Sequence, residues 1–173
     1  MKKTAYLGMF LAISLILSYV ESILPVTAPI PGIKLGLANC AILVLLYLYG
    51  PWEAILVNVA RVTLSAFMFN GLFSLLYSLS GAILSFLIMF LLYRKKKTFS
   101  PVGIGMLGGV FHNIGQIIMA FAVTHVKGLI YYLPFLLASG LVTGFIIGFL
   151  TKLLLPYLKK TILVKNGNPN KEE

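Results

Sequence analysis

The stretch PVGIGMLGGVFHNIGQIIMAFAVTHV, residues 101–126, decides which solvent this chain folds in. It contains no lysine, arginine, aspartate or glutamate, yet a histidine, an asparagine and a glutamine sit at its centre in FHNIGQ, 111–116. A helix that crosses the hydrocarbon core needs about 20 mostly apolar residues, and this stretch supplies them. In a water-soluble core the three polar side chains would be satisfied by neighbours. In a bilayer each is costly and calls for a reason.

Composition gives the same answer. The 173 residues are 60% hydrophobic and 10% charged, with a mean hydropathy of +0.99. Soluble domains are about 45–50% apolar and about 25% charged. The sequence therefore reads as an all-α, polytopic membrane protein of one domain. Five further apolar stretches cover residues 4–24, 35–49, 52–69, 72–93 and 131–155. The second is short, and its start falls in the preceding loop. Breaks come where Pro and Gly gather, at PVTAPIPG (25–32), YGPW (49–52), FNG (69–71) and HVKG (125–128). The expectation is a six-helix transmembrane domain over residues 1–158 and a polar, disordered cytoplasmic tail over 159–173, which ends NGNPNKEE. The first stretch, MKKTAYLGMFLAISLILS, has the charge and apolar run of a secretory signal peptide. No small-x-small cleavage site follows it, so it reads as a retained first helix.

The net charge of +10 does not point to nucleic acid, because the basic residues flank apolar stretches. Lys2, Lys3, the RKKK run at 94–97 and the C-terminal lysines all fall on one side of a six-span topology, and only Lys34 and Lys127 on the other. Cytoplasmic loops carry the excess of Lys and Arg, which predicts both termini in the cytoplasm of a multi-pass cell-membrane protein. The acids are few: Glu21, Glu53, Glu172 and Glu173, with no aspartate at all. Clustered carboxylates that hold magnesium are thus missing. The lone Cys40 gives neither an internal disulfide nor a multi-thiolate metal site. No GxxxxGK[ST] loop for ATP is present. The chain reads as non-catalytic, with no cofactor of its own.

The polar residues within the spans are the candidate site. Arg61 lies about 14 Å along its helix from Trp52, and His112 about 16 Å along from Pro101. Both helices start on the same side, so the two side chains share a depth near the bilayer centre. Asn58, Arg61 and Ser65 occupy one face at i, i+3, i+7, and His112 and Gln116 are one turn apart with Asn113 beside them. A buried arginine costs at least about 2.5–3.5 kcal/mol. No acid lies at its depth on this estimate, Glu53 being two turns away and Glu21 near the far end of the first helix. Arg61 either caps carbonyls or reaches Glu53 or Glu21 to fix the bundle, or it awaits an anionic group on a ligand. His112, Asn113 and Gln116 either join helices by hydrogen bonds or contact that ligand. The loop PVTAPIPGIKLGLAN (25–39) is barred from regular helix by Pro25, Pro29 and Pro31. It reads either as a plain connection or as a rigid outer lid whose rim carries Lys34 and Asn39.

Small residues offer close helix approach. Gly140, Gly144 and Gly148 recur every fourth residue in the last span, where internal packing is the expectation. Gly8 and Ala12 stand at the same interval in the first span, as a groove for packing or for a partner protein.

Taken together, PGIKLGLAN (31–39), Arg61 within NVARVTL, SLSG (78–81), SP (100–101) followed by HNIGQ (112–116), and LPFLLASGLVTG (133–144) resemble one integral-membrane family. It is known both as Gx transporters and as heptaprenyl diphosphate synthase component I, and the resemblance runs from about Leu7 to Leu155. That family in turn is similar to the substrate-binding S components of bacterial energy-coupling factor (ECF) transporters. The likeness implies a pocket opening outward beneath the loop after the first helix. It also implies docking of a membrane coupling subunit, driven by two cytoplasmic ATPases, on the Gly8–Ala12 groove, where alanine at both positions is usual. Lys34, Asn39, Asn58, Arg61, His112, Asn113 and Gln116 would then contact a small-molecule ligand, anionic or rich in carbonyls, such as a vitamin, flavin or quinone precursor. The other family name implies prenyl chain elongation, whose aspartate-rich metal motifs this chain lacks. On that reading it is a non-catalytic membrane partner of heptaprenyl diphosphate synthesis. A self-contained channel is disfavoured, since no hydrophilic stripe runs along the bundle.

Overall fold

Proline and glycine set most of the helix boundaries. Gly50, at φ 99°, turns the chain, and Pro51 opens the helix that follows, its fixed φ suiting the first helical position. Ser100 caps the next proline-initiated helix by accepting a hydrogen bond from the Gly103 amide at 3.2 Å. The computed structural model describes residues 2–23 and 36–165. Six α-helices appear in it: α1 (Lys2–Ile23), α2 (Asn39–Leu48), α3 (Pro51–Ser65), α4 (Gly71–Arg94), α5 (Pro101–Thr124) and α6 (Leu133–Lys165). A π-helical turn, Ala66–Asn70, joins α3 to α4, and a 3-10 turn, Lys127–Tyr132, leads into α6. Among the described residues there is no strand.

Five of the helical segments are long and apolar enough to cross a membrane. The exception is α2. Its 10 residues rise about 15 Å, half of an approximately 30 Å hydrocarbon core. The expected start near residue 35 is displaced to Asn39 by a turn at Gly36, which sits at φ 86°. Apolar on every side, α2 is the buried centre of the bundle: Ile42, Leu43, Leu45 and Leu46 have no exposed surface. The sixth helix also departs from expectation. It continues through Pro156 to Lys165, so the start of the stretch read as a disordered tail is helical.

The glycines at 140, 144 and 148 pack within the bundle, against α5. A Cβ on Gly105 would lie 2.6 Å from the Gly144 carbonyl oxygen, and one on Gly140 would lie 2.8 Å from that of Gly109. Helices this close are held by backbone van der Waals contact, which is what small residues at intervals of four permit. In contrast, a Cβ on Gly8 would meet nothing within 4 Å, and Ala12 is exposed. α1 turns Phe10, Ser14, Ser18 and Glu21 inward and leaves Met9, Ile13, Ile16 and Tyr19 on the outside.

The interior has two layers. At the end marked by Lys3, Glu53 and the 94–97 basic run, it is apolar: Phe10, Val57, Phe86, Met89, Ile104 and Ile147 close around α2. At the opposite end the buried side chains include Ser18, Glu21, Asn39, Arg61, Ser74, Ser78, His112 and Gln116.

Candidate functional site

Arg61 organises the polar layer. Its helix presents Asn58 one turn earlier, whose Oδ1 accepts from Nη2 at 2.7 Å. The same Nη2 reaches Asn39 Oδ1 at 3.4 Å, and Nη1 reaches Ser18 Oγ at 3.2 Å. One guanidinium thereby joins α1, α2 and α3, while Asn58 Nδ2 extends the network to the Ala82 carbonyl on α4 at 3.5 Å. Arg61 is only 5% exposed, so its charge is withdrawn from solvent. The counter-charge is Glu21, which is buried on α1 and acts electrostatically on the guanidinium. Glu21 Oε1 also accepts from the Leu37 amide at 2.6 Å, tying the turn ahead of α2 to α1. Glu53 is occupied elsewhere, in an ion pair with Lys3.

Gly36 brings that turn against α5. With φ 86° it adopts a conformation that disfavours other residues. A Cβ there would lie 3.0 Å from Asn39 Nδ2 and 3.2 Å from His112 Cδ2. The opposite edge of the His112 ring faces Gly81 on α4, where a Cβ would sit 3.1 Å from Cε1 and 2.8 Å from Gln116 Cγ. His112 is therefore slotted between two glycines, with Gln116 beside it and fully buried.

The seven residues expected to contact ligand divide three ways. Asn39, Asn58, Arg61, His112 and Gln116 come together around Gly36 and Gly81. Asn113 turns away to α6, donating from Nδ2 to the Leu136 carbonyl at 2.6 Å and to Ser139 Oγ at 3.3 Å. Lys34, with residues 25–35 of the loop read as a lid, lies outside the described residues. Gly8 and Ala12 stand apart from this group, on the uncovered side of α1.

Sequence reasoning missed Ser18, Ser74 and Ser78, and offered Glu21 only as one possible anchor for Arg61. Ser18 and Glu21 belong to the stripe Ser14, Ser18, Glu21, at i, i+4, i+7, on an otherwise apolar helix; that spacing was the available signal. Ser74 and Ser78 are also one turn apart. The antiparallel α3–α4 hairpin is in register where Asn58 meets Ala82. One turn on, Ser78 is level with Arg61; two turns on, Ser74 is level with Ser65. Both hydroxyls are buried and have no hydrogen-bond partner among the described residues, and the same holds for Arg61 Nε and Asn39 Nδ2. Leaving such a group unpaired costs about 1–3 kcal/mol. Among the described residues no three of His, Cys, Asp and Glu converge; the contacts seen around Arg61 are hydrogen bonds and one charge pair.

Comparison with known proteins assigns the lineage. The family model described as heptaprenyl diphosphate synthase component I matches residues 10–154. The chain belongs to this family. The match covers all six helices in whole or in part, including every described residue of the polar layer, so the layer is part of the component I region. Neither a curated protein nor a solved structure matches the chain.

Proposed function

We propose that this component I chain is a membrane-embedded substrate-binding subunit of a small-molecule uptake system. One observation carries the reading: a buried layer with an arginine, an amide and two hydroxyls retains donors that the described protein does not use. A ligand with anionic or carbonyl oxygens would satisfy them, and Arg61 Nε and Asn39 Nδ2 are the groups that would meet it. Asn58 would hold Arg61 in place, and His112 and Gln116 would shape the wall beside Gly36 and Gly81. Asn113 would act through α6 and Lys34 from the loop rim. In this reading both termini are cytoplasmic, the polar layer faces the outside of the cell, and the chain is a multi-pass cell-membrane protein. Its first helix would offer the open Gly8–Ala12 groove to a membrane coupling subunit driven by cytoplasmic ATPases, as in ECF transporters. The chain would do no chemistry itself.

The family description favours a second reading, a non-catalytic membrane component of heptaprenyl diphosphate synthesis. There the Arg61 network would serve the bundle alone. The deciding experiment is affinity purification in mild detergent with mass spectrometry of the companions. A coupling subunit with paired ATPases is the expected outcome. A soluble prenyl synthase subunit in their place would overturn the transport reading.

A further inference from the structure

At the other end of the bundle, a groove of about 570 Å³ runs between the start of α3 and the end of α4. Pro51, Trp52 and Ile55 form one wall, and Phe86, Phe90, Tyr93 and Arg94 the other. The Phe86 and Phe90 rings lie parallel along its length, 6.4 Å apart. The Arg94 guanidinium lies 4.9 Å from the centre of the Phe90 ring, and Lys96 Nζ lies 5.2 Å from that of Tyr93. The cations are therefore folded back over the aromatic wall. Arg94 begins the run Arg94–Lys97, all of it exposed, while the nearby acid, Glu53, is engaged by Lys3. Trp52 is 81% exposed, and Leu56, Leu87 and Leu91 are exposed around the same helices, so the groove opens on the side that faces lipid.

We propose that this groove is a binding site for an anionic phospholipid of the surrounding bilayer. Its phosphate is held by Arg94, and one acyl chain lies along Phe90, Phe86 and Ile55. The apolar walls require an amphiphile rather than a free anion. The run of positive charge at the mouth selects an anionic headgroup over a zwitterionic one, whose ammonium it would repel. This inference is independent of the polar layer and of the transport reading.

Trp52 is the only tryptophan in the chain, so its fluorescence reports on the groove directly. The full-length protein is reconstituted in phosphatidylcholine vesicles containing graded amounts of brominated phosphatidylglycerol or brominated phosphatidylcholine. Half-maximal quenching is expected at a mole fraction about fivefold lower for the anionic lipid, the preference that one basic residue near the surface confers. Arg94→Gln should bring the two curves together, whereas Lys97→Gln, outside the groove, should leave them apart. Arg94 is exposed, so the variants retain the fold, with circular dichroism as the check. Equal quenching in the unmodified protein overturns the site. So does loss of the preference in Lys97→Gln to the same degree, which would indicate a diffuse basic surface. Release of quenching by a single-chain prenyl diphosphate, at a lower mole fraction than the phospholipid needs, would assign the groove to an isoprenoid instead and also overturns the proposal.

Discussion

At Arg61 the cost of a buried guanidinium is divided among Asn58, Ser18, Asn39 and the field of Glu21. Removing one member of a buried charge pair leaves the other uncompensated, at a cost of about 3–5 kcal/mol. Arg61→Ala is therefore expected to lower the thermal unfolding midpoint in detergent, and adding Glu21→Gln to restore most of it. The double variant then isolates the functional question. Folded but unable to retain ligand through purification, it would assign Arg61 to binding; retaining ligand, it would make Arg61 a bundle residue. Much of this cluster was legible from helical spacing, which puts Asn58 with Arg61 and His112 with Gln116. Glu21 was open only as one of two acids that Arg61 could reach, since its place along α1 put it at another depth. Depth estimated from Cα rise along a helix omits the reach of an arginine side chain, which carries Nη1 to Ser18 Oγ at 3.2 Å.

One pair of helices and one single helix show how the same small-residue spacing can serve opposite ends. In α5 and α6 the glycines face one another and leave no room for a side chain. In α1 the Gly8 position is open. Gly144→Leu is expected to cost at least the approximately 1–3 kcal/mol of an overpacked core and to broaden or abolish the monodisperse peak on size exclusion. Gly8→Leu should leave the unfolding midpoint within the roughly 0.5 kcal/mol of a neutral surface change while removing any companion that docks on α1. The interval of four was readable in the last span. Its counterpart, Gly105 and Gly109, lay in the stretch 101–126 but was overshadowed there by the polar residues. The length of α2 was not readable, because its apolar run continues across the turn at Gly36, and hydropathy does not register a positive φ.

For the whole molecule, the orientation rests on where the lysines and arginines fall. With Cys40→Ser as background, single cysteines at Thr98 and at His125 sit in or beside the connections at opposite ends of α5. A membrane-impermeant maleimide should label position 125 on intact cells and position 98 only after permeabilisation; the reverse pattern would invert the topology. The helical architecture of the described residues, with five segments long and apolar enough to cross a membrane, was legible from the length of the apolar stretches and the scarcity of charge. The separation into a polar and an apolar layer was not, because it depends on which faces of six helices meet. That separation has an electrical consequence. The polar layer ends on α2, whose Ile42, Leu43, Leu45 and Leu46 form a dry plug with no exposed surface. Below it Phe10, Met89 and Ile104 continue the seal. An ion pushed through that plug would have to leave its hydration shell for hydrocarbon, at a cost on the order of tens of kcal/mol. The packing around α2 therefore sets a barrier to conduction rather than a path.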